Sequence, residues 1–275
     1  MFRVVGTTIL VVAAAALGGL LLLEASDDRT VASIWQELDQ TPSTGRVFSP
    51  GMVATLPEPA QRYFRHAIQP GTPLAARVHV VQTGSLRFGT NWVPVSAEQV
   101  LVPGRGFVWK ADSQVGPLPI SATDHYASGQ GRMRIAALGL VPFINATGPD
   151  LSRSAIGRLV GETMWLPSGW LPQAGARIEP VDDDRFAVLV TVGDETTRLV
   201  LTVNGEGRLL DIMFPRYGNQ TPDQHYQYIP FGGPIDEEGT FGGYTIPTRI
   251  RAGWWYGTEQ YQETFRLQIT AATFE

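Results

Sequence analysis

The sequence predicts an α+β fold: one large, curved, half-barrel-like antiparallel sheet, two amphipathic helices against its concave face, and an N-terminal transmembrane helix. Three observations carry this. From Arg77 onward apolar residues alternate with a period of two in about eleven runs, broken by Gly, Pro and Ser-Gly turns. Beyond the first 40 residues only two segments have helical periodicity, near 58–68 and 149–165. The strands also follow one another without the strand–helix–strand alternation of a parallel sheet. A strongly twisted antiparallel sheet of that size tends to curl, leaving a concave face for the helices to fill.

The chain opens with a charge-free run, Val4–Leu23, VVGTTILVVAAAALGGLLLL. At ~1.5 Å of rise per residue, a helix of that length covers the roughly 30 Å hydrocarbon core of a bilayer. Arg3 precedes the run, and Glu24, Asp27 and Asp28 follow it. Because positive charge stays cytoplasmic, residues 1–23 read as a single-pass anchor in the cell membrane, with the bulk of the chain extracytoplasmic. A cleaved signal peptide is the alternative. Its apolar core is shorter, about 7–15 residues, and Leu23-Glu24-Ala25 offers a leucine where its cleavage site needs a small residue.

Residues 24–55 read as a juxtamembrane helix and linker. Val31, Ile34, Trp35 and Leu38 repeat at helical spacing. Trp35 could sit at the headgroup level or pack on the domain. Residues 40–55, rich in Pro, Gly, Ser and Thr, suit a linker. Residues 56–275 then form a single antiparallel α+β domain. Its first helix, near 58–68, has Pro59 in the first turn, where a missing N–H costs nothing, and an apolar face of Ala60, Tyr63, Phe64, Ala67 and Ile68. Its second opens at Pro149-Asp150, with Asp150 as cap, and ends near Trp165 because Pro167 cannot continue it. Gly157 and Gly161, one turn apart, mark close approach to the sheet. Asn204-Gly205 signals a hairpin.

The formal net charge is −5, and beyond the anchor 20 basic residues face 26 acidic ones. That balance argues against nucleic acid and against docking on anionic headgroups. With no cysteine, disulfides and Cys-based metal or redox chemistry are ruled out.

The residues that could carry catalysis are scattered. His66, His79, His125 and His225 show no zinc-binding spacing. Ser168 lacks the frame of a nucleophile elbow. Asp124 and His125, adjacent on one strand, point to opposite faces and cannot act as a pair. The acidic runs 182–184 and 236–238 lack the ligand alternation and glycine pivot of a calcium loop and read as solvated turns. No catalytic residue, metal ligand or cofactor is assigned. Aromatic residues are the remaining clue: Trp109, Phe143, Trp165, Trp170, Trp254 and Trp255 cluster near element ends, and LGLVPF is apolar for a connection. They either close the sheet over its helices or line an apolar site, and in the second case Trp109, Leu140, Phe143, Trp165 and Leu171 are the candidate ligand-binding residues.

The segments LPEPAQRYFRHAIQPGTPL, GFVWKAD, ALGLVPFINATGPDLSRSAIGRLVGETMWLPSGWLP and GYTIPTRIRAGWWYGTEQYQETFRLQITAATF resemble, in order and spacing, a bacterial family of membrane-anchored, β-rich proteins known only as a domain of unknown function. The resemblance runs over about residues 56–275. It implies one domain and no chemistry. The architecture is also similar to the LolA-like half-barrels that carry lipids or lipoproteins, a likeness of fold alone. The leading expectation is therefore a non-enzymatic extracytoplasmic domain that binds a lipid or other apolar ligand at the cell envelope. A tethered module for an envelope protein partner, or an enzyme with a dispersed site around Asp124, His125 and Tyr126, are the alternatives.

Overall fold

The computed structural model describes residues 2–275, with side chains from residue 18 onward. Thirteen strands form a single sheet, and each pairs antiparallel with its neighbours. In chain order they are β1 (Val78–Phe88), β2 (Asn91–Val102), β3 (Gly106–Val115), β4 (Leu118–Ala127), β5 (Gln130–Ala137) and β6 (Val141–Thr147), then β7 (Arg177–Pro180), β8 (Arg185–Val192), β9 (Glu195–Val203), β10 (Leu209–Gly218), β11 (Gln227–Phe241), β12 (Tyr244–Trp254) and β13 (Gln262–Phe274). The spatial order β6-β5-β4-β3-β2-β1-β13-β12-β11-β10-β9-β8-β7 makes two meanders, joined where β1 pairs with β13. The two edges are therefore β6 and β7, and the segment between those strands crosses the concave face.

Two of these strands are absent from the runs visible in the sequence. β6 carries Pro142 and lies at an edge, where a missing N–H is tolerated. β7 has only four residues. The apolar LGLVPF segment is thus the β5–β6 hairpin and the start of an edge strand.

Helix α2 (Glu58–Ala67) and helix α3 (Pro149–Glu162) occupy the inner face, as their spacing predicts. A Cβ added to Gly161 would meet the Phe214 ring at 2.7 Å, and one on Gly157 would meet Arg216 Cγ at 3.1 Å. The small-residue pair therefore lets α3 lie directly on β10. Gly148 takes the capping position before Pro149, and Asp150 instead accepts a hydrogen bond from the Tyr217 hydroxyl at 3.2 Å.

Helix α1 (Phe2–Asp39) is continuous, so Val31–Leu38 is not a separate juxtamembrane helix. Its apolar stripe packs on the convex face, with Val31 and Leu38 against Val100, Val102 and Val108. Trp35 packs on the domain, edge-on to His79 at 5.6 Å and with Lys110 Nζ 4.8 Å from its ring centre. Ion pairs fix both ends of this contact, Asp27 with Arg132 and Arg134, Glu37 with Arg105 and Asp39 with Arg77, and His79 adds a hydrogen bond to Asp39. Most of the apolar run Val4–Leu23 lies outside the residues whose side chains are described. Among the described residues no helix is long and apolar enough to cross a membrane.

Two further expectations differ from the structure. Within residues 40–55, Phe48 and Val53 are buried in the main core, because the segment folds back on the domain through the Val47–Pro73 bridge. Asp236–Glu238 is not a turn but part of β11, where Arg251 and Arg249 neutralise Asp236 and Glu237 and the His66 ring hydrogen-bonds Glu238. The 182–184 run does lie in a turn, between β7 and β8.

Candidate functional site

Inward-facing positions of the strands decide what the concave face can hold. At one end it is solid: Tyr63, Phe64, Trp170 and Phe186 interlock, with Tyr63 5.6 Å from Phe186 and 6.2 Å from Trp170 by ring centres. Toward the other end, where hairpins β1–β2 and β3–β4 turn, the inner face is left open. The result is a cavity of about 790 Å³. Leu86, Val95, Trp109, Ala122 and Ile135 line it from the first meander, and Phe214, Phe231, Ile250, Trp254 and Phe265 from the second. Met164 and Trp165 contribute from the turn after α3.

This volume falls within the range of small-molecule sites, roughly 300–1,000 Å³, and its lining has their character, mainly apolar with few polar groups. Besides the exposed Arg87, Asn91, Gln220 and Arg251, which also line it, its charged groups form two sets. In the first, Arg158 on α3 reaches Asp124 Oδ2 at 2.5 Å and Glu162 Oε1 at 2.8 Å. Glu162 accepts from Gln99 at 2.7 Å, Gln99 from Gln82 at 3.1 Å, and Gln82 from the Trp109 indole N–H at 3.2 Å. Burial pulls the Arg158 guanidinium down, but Glu162 and Asp124 outweigh it and hold its pKa above the ordinary range. The chain thereby satisfies polar groups that would otherwise cost about 1–3 kcal/mol each to bury, and leaves only Asp124 Oδ1 among its buried oxygens without a partner.

The second set is Arg216 alone. It lies between aromatic rings, with its guanidinium carbon 4.8 Å from the centre of Phe231 and 5.1 Å from that of Trp254. Its buried Nε has no hydrogen-bond partner, and among the described residues no carboxylate lies within ion-pair distance. Burial, reinforced by the nearby Arg158 charge, pulls its pKa down to about 10, so it remains a cation at neutral pH.

Three of the five residues singled out from the sequence meet in this cavity: Trp109, Trp165 and Phe143. Trp109 and Trp165 are buried in its wall, whereas Phe143 is 55% exposed on β6. Leu171 is buried in the core and does not line the cavity. Leu140 sits half-buried in the β5–β6 hairpin, also outside the lining. Sequence reading missed Arg216 and the glutamines. The signal was available for Arg216, which shares strand parity with Ile212 and Phe214 and so had to point inward.

The residues suspected of catalysis are separated by the sheet. Asp124 faces the cavity and is engaged by Arg158, whereas His125 is buried on the opposite face with an unpartnered Nδ1. Among the described residues no group of three His, Cys, Asp or Glu could hold a metal ion.

The sequence profile of DUF6920, a family of unknown function, matches residues 54–274, and the chain belongs to that family. The comparison with curated proteins found no match. Among solved structures, the chain is similar to a DUF1329 family protein from Desulfovibrio piger ATCC 29098, at 10% identity over 79% of this chain and 91% of that one, with a TM-score of 0.42. It is also similar to a LolA superfamily protein from Nitrosomonas europaea, at 11% identity over 79% and 92% of the two chains, with a TM-score of 0.39. Both likenesses are of fold alone.

Proposed function

We propose that this DUF6920 protein is a non-enzymatic, membrane-tethered extracytoplasmic domain that holds a lipid or lipid-like molecule on the concave face of its sheet. The observation that carries the reading is the cavity of about 790 Å³, walled by apolar side chains from both meanders. A sheet whose inner face is filled at one end and empty at the other has an inner surface that only a ligand would cover. Burying that surface is favourable by roughly 25 cal/mol per Å². The ionic groups around Arg158 are engaged with one another, which suits a binding site better than a reactive one. Tethering is supported by the uncharged run Val4–Leu23, and the outward orientation by Arg3 before it.

Mass spectrometry of organic extracts tests this, using the full chain purified from its own membranes. A lipid recovered in near-stoichiometric amount, and lost from a folded variant with Ala122→Phe in the cavity wall, is the expected result. A folded wild-type chain that yields no apolar molecule, and binds none of a panel of fluorescent lipids, would overturn the proposal.

A further inference from the structure

The strand registers assign the cavity's open end and the exit of the N-terminal helix to the same side of the molecule. Hairpins β1–β2, β3–β4 and β5–β6 turn at that end, at residues 89–90, 116–117 and 138–140. Phe88, Val115, Leu118 and Phe143, all exposed, also line the cavity, so the cavity reaches the surface between these tips. Helix α1 runs along the outside of the same strands. Its Asp39 pairs with Arg77 and His79 at the far end of β1, and its Glu37 with Arg105 in the β2–β3 turn, also at the far end. Its Glu24 lies at the near end, where a Cβ built on Gly139 would meet the Glu24 carboxylate at 2.8 Å. The exposed Leu21, Leu22 and Leu23 precede Glu24, at the close of the apolar run.

We infer that this rim is a membrane-contact surface and that the cavity opens directly onto the bilayer. The rim of the first meander presents Phe88, Val115, Leu118, Leu138, Val141 and Phe143, each 39–59% exposed. Such a concentration of exposed apolar side chains at one end marks an interaction surface. The other half of the same rim, in loops 219–226 and 255–261, instead exposes Gln220, Asp223, His225, Glu259 and Gln260. The apolar half is the one beside α1, so the side chains suited to the hydrocarbon boundary lie where the apolar run leaves the domain. The ion pairs along α1 hold the domain in that orientation, so its mouth cannot swing freely about a flexible tether. With a net charge of −5, the partner surface is a zwitterionic bilayer rather than an anionic one. A lipid could then move between bilayer and cavity without crossing water.

This inference rests on the lipid-binding reading, and its test separates the two. The chain has no cysteine, so single cysteines label cleanly. Val115→Cys, Leu138→Cys and Phe143→Cys place a fluorophore on the apolar rim. Glu259→Cys places it on the polar rim, and Asp183→Cys and Glu206→Cys at the opposite end. The full chain is reconstituted into phosphatidylcholine vesicles containing a lipid-borne quencher, and uptake of a fluorescent fatty acid is measured on the unlabelled wild-type chain in matching vesicles. Apolar-rim labels should be quenched roughly threefold more than labels at the opposite end, as befits side chains at the headgroup boundary, with Glu259→Cys intermediate. Equal quenching at both ends in a chain that takes up the fatty acid overturns the orientation and leaves the binding reading standing. Rim labels that shift their emission but escape the lipid quencher assign the rim to a protein contact, which also overturns it. A chain that takes up no fatty acid overturns both.

Discussion

The two ends of the concave face use the same amino acids for opposite purposes. At the closed end Tyr63, Phe64, Trp170 and Phe186 face one another and leave no space. At the open end Trp109, Trp254, Phe231 and Phe265 stand at equivalent inward positions but face a void. Composition and strand periodicity are alike in both. What differs is the inner layer. Helix α2 and the turns around Trp170 cover the closed end, whereas of α3 only Arg158, Gly161 and Glu162 reach the cavity at the open one. A side chain is core or lining according to whether a helix reaches it.

The sharpest way to break this comparison is to make one change at each end. Trp170→Ala removes a fully buried indole from the closed end and should cost about 3–5 kcal/mol. In a chain of this size that lowers Tm by roughly 10 °C. Ala122→Phe at the open end fills space that the native fold leaves empty, so Tm should hold or rise. Affinity for an apolar probe should fall tenfold or more, about 1.4 kcal/mol. Thermal melts of the pair decide the matter. A large loss of stability in Ala122→Phe would mean that the open end is packed after all.

The two arginines in the cavity offer a second, smaller contrast. Arg158→Met strips both Asp124 and Glu162 of their cation and should destabilise by about 3 kcal/mol, because Asp124 is left buried and unpaired while the half-buried Glu162 keeps only its hydrogen bond from Gln99. Arg216→Met removes a guanidinium with no carboxylate partner and should leave stability within about 1 kcal/mol. Its effect should appear in ligand choice. The variant is expected to lose roughly tenfold in affinity for an acid-headed amphiphile while holding the matching alcohol unchanged, since a charge-assisted hydrogen bond is lost only with the acid. Denaturant titration and competition binding measure the two effects. Equal losses for acid and alcohol would show that Arg216 acts only through its packing.

How much of this was legible in the sequence follows from the range of each interaction. Helix α3, the stop of its helical run before Pro167 and the Gly157–Gly161 contact are local patterns and were readable, although the α-helix itself ends at Glu162 and a 3-10 turn carries the run to Trp165. The curved antiparallel sheet was readable too, because every strand but two carries its own alternation. The sorting of aromatics into core and lining was not, since Leu171 and Trp165 lie six residues apart in one apolar stretch and only the second reaches the cavity. The polar chain from Trp109 to Arg158 draws single residues from β1, β2 and β3 and the Arg158–Glu162 pair from α3; the i,i+4 pair has helical spacing, but no spacing rule links it to the three strand residues. The fit of Val31–Leu38 to the convex face was half visible: the stripe was plain, its partner was not.

That convex contact supplies the smallest expected effect, and the one that separates the two faces of the sheet. His125 is buried on the face of β4 that α1 covers. Burial holds its pKa below the ordinary value; Asp124 and Asp27 pull it upward, and Arg132 pushes it further down. The unfolded chain therefore binds a proton first as pH falls below about 6.5, and folding stability declines from there until the folded-state pKa is reached. The urea midpoint should drop between pH 7.5 and 5.5, and His125→Gln should flatten that drop. The same slope in the variant would place its origin elsewhere. Because His125 points away from the cavity, and Arg216 with its pKa near 10 stays charged throughout, ligand affinity should not follow the stability change. A parallel loss of affinity would mean that the two faces of the sheet are coupled, and that docking of α1 on the outside helps to hold the cavity open on the inside.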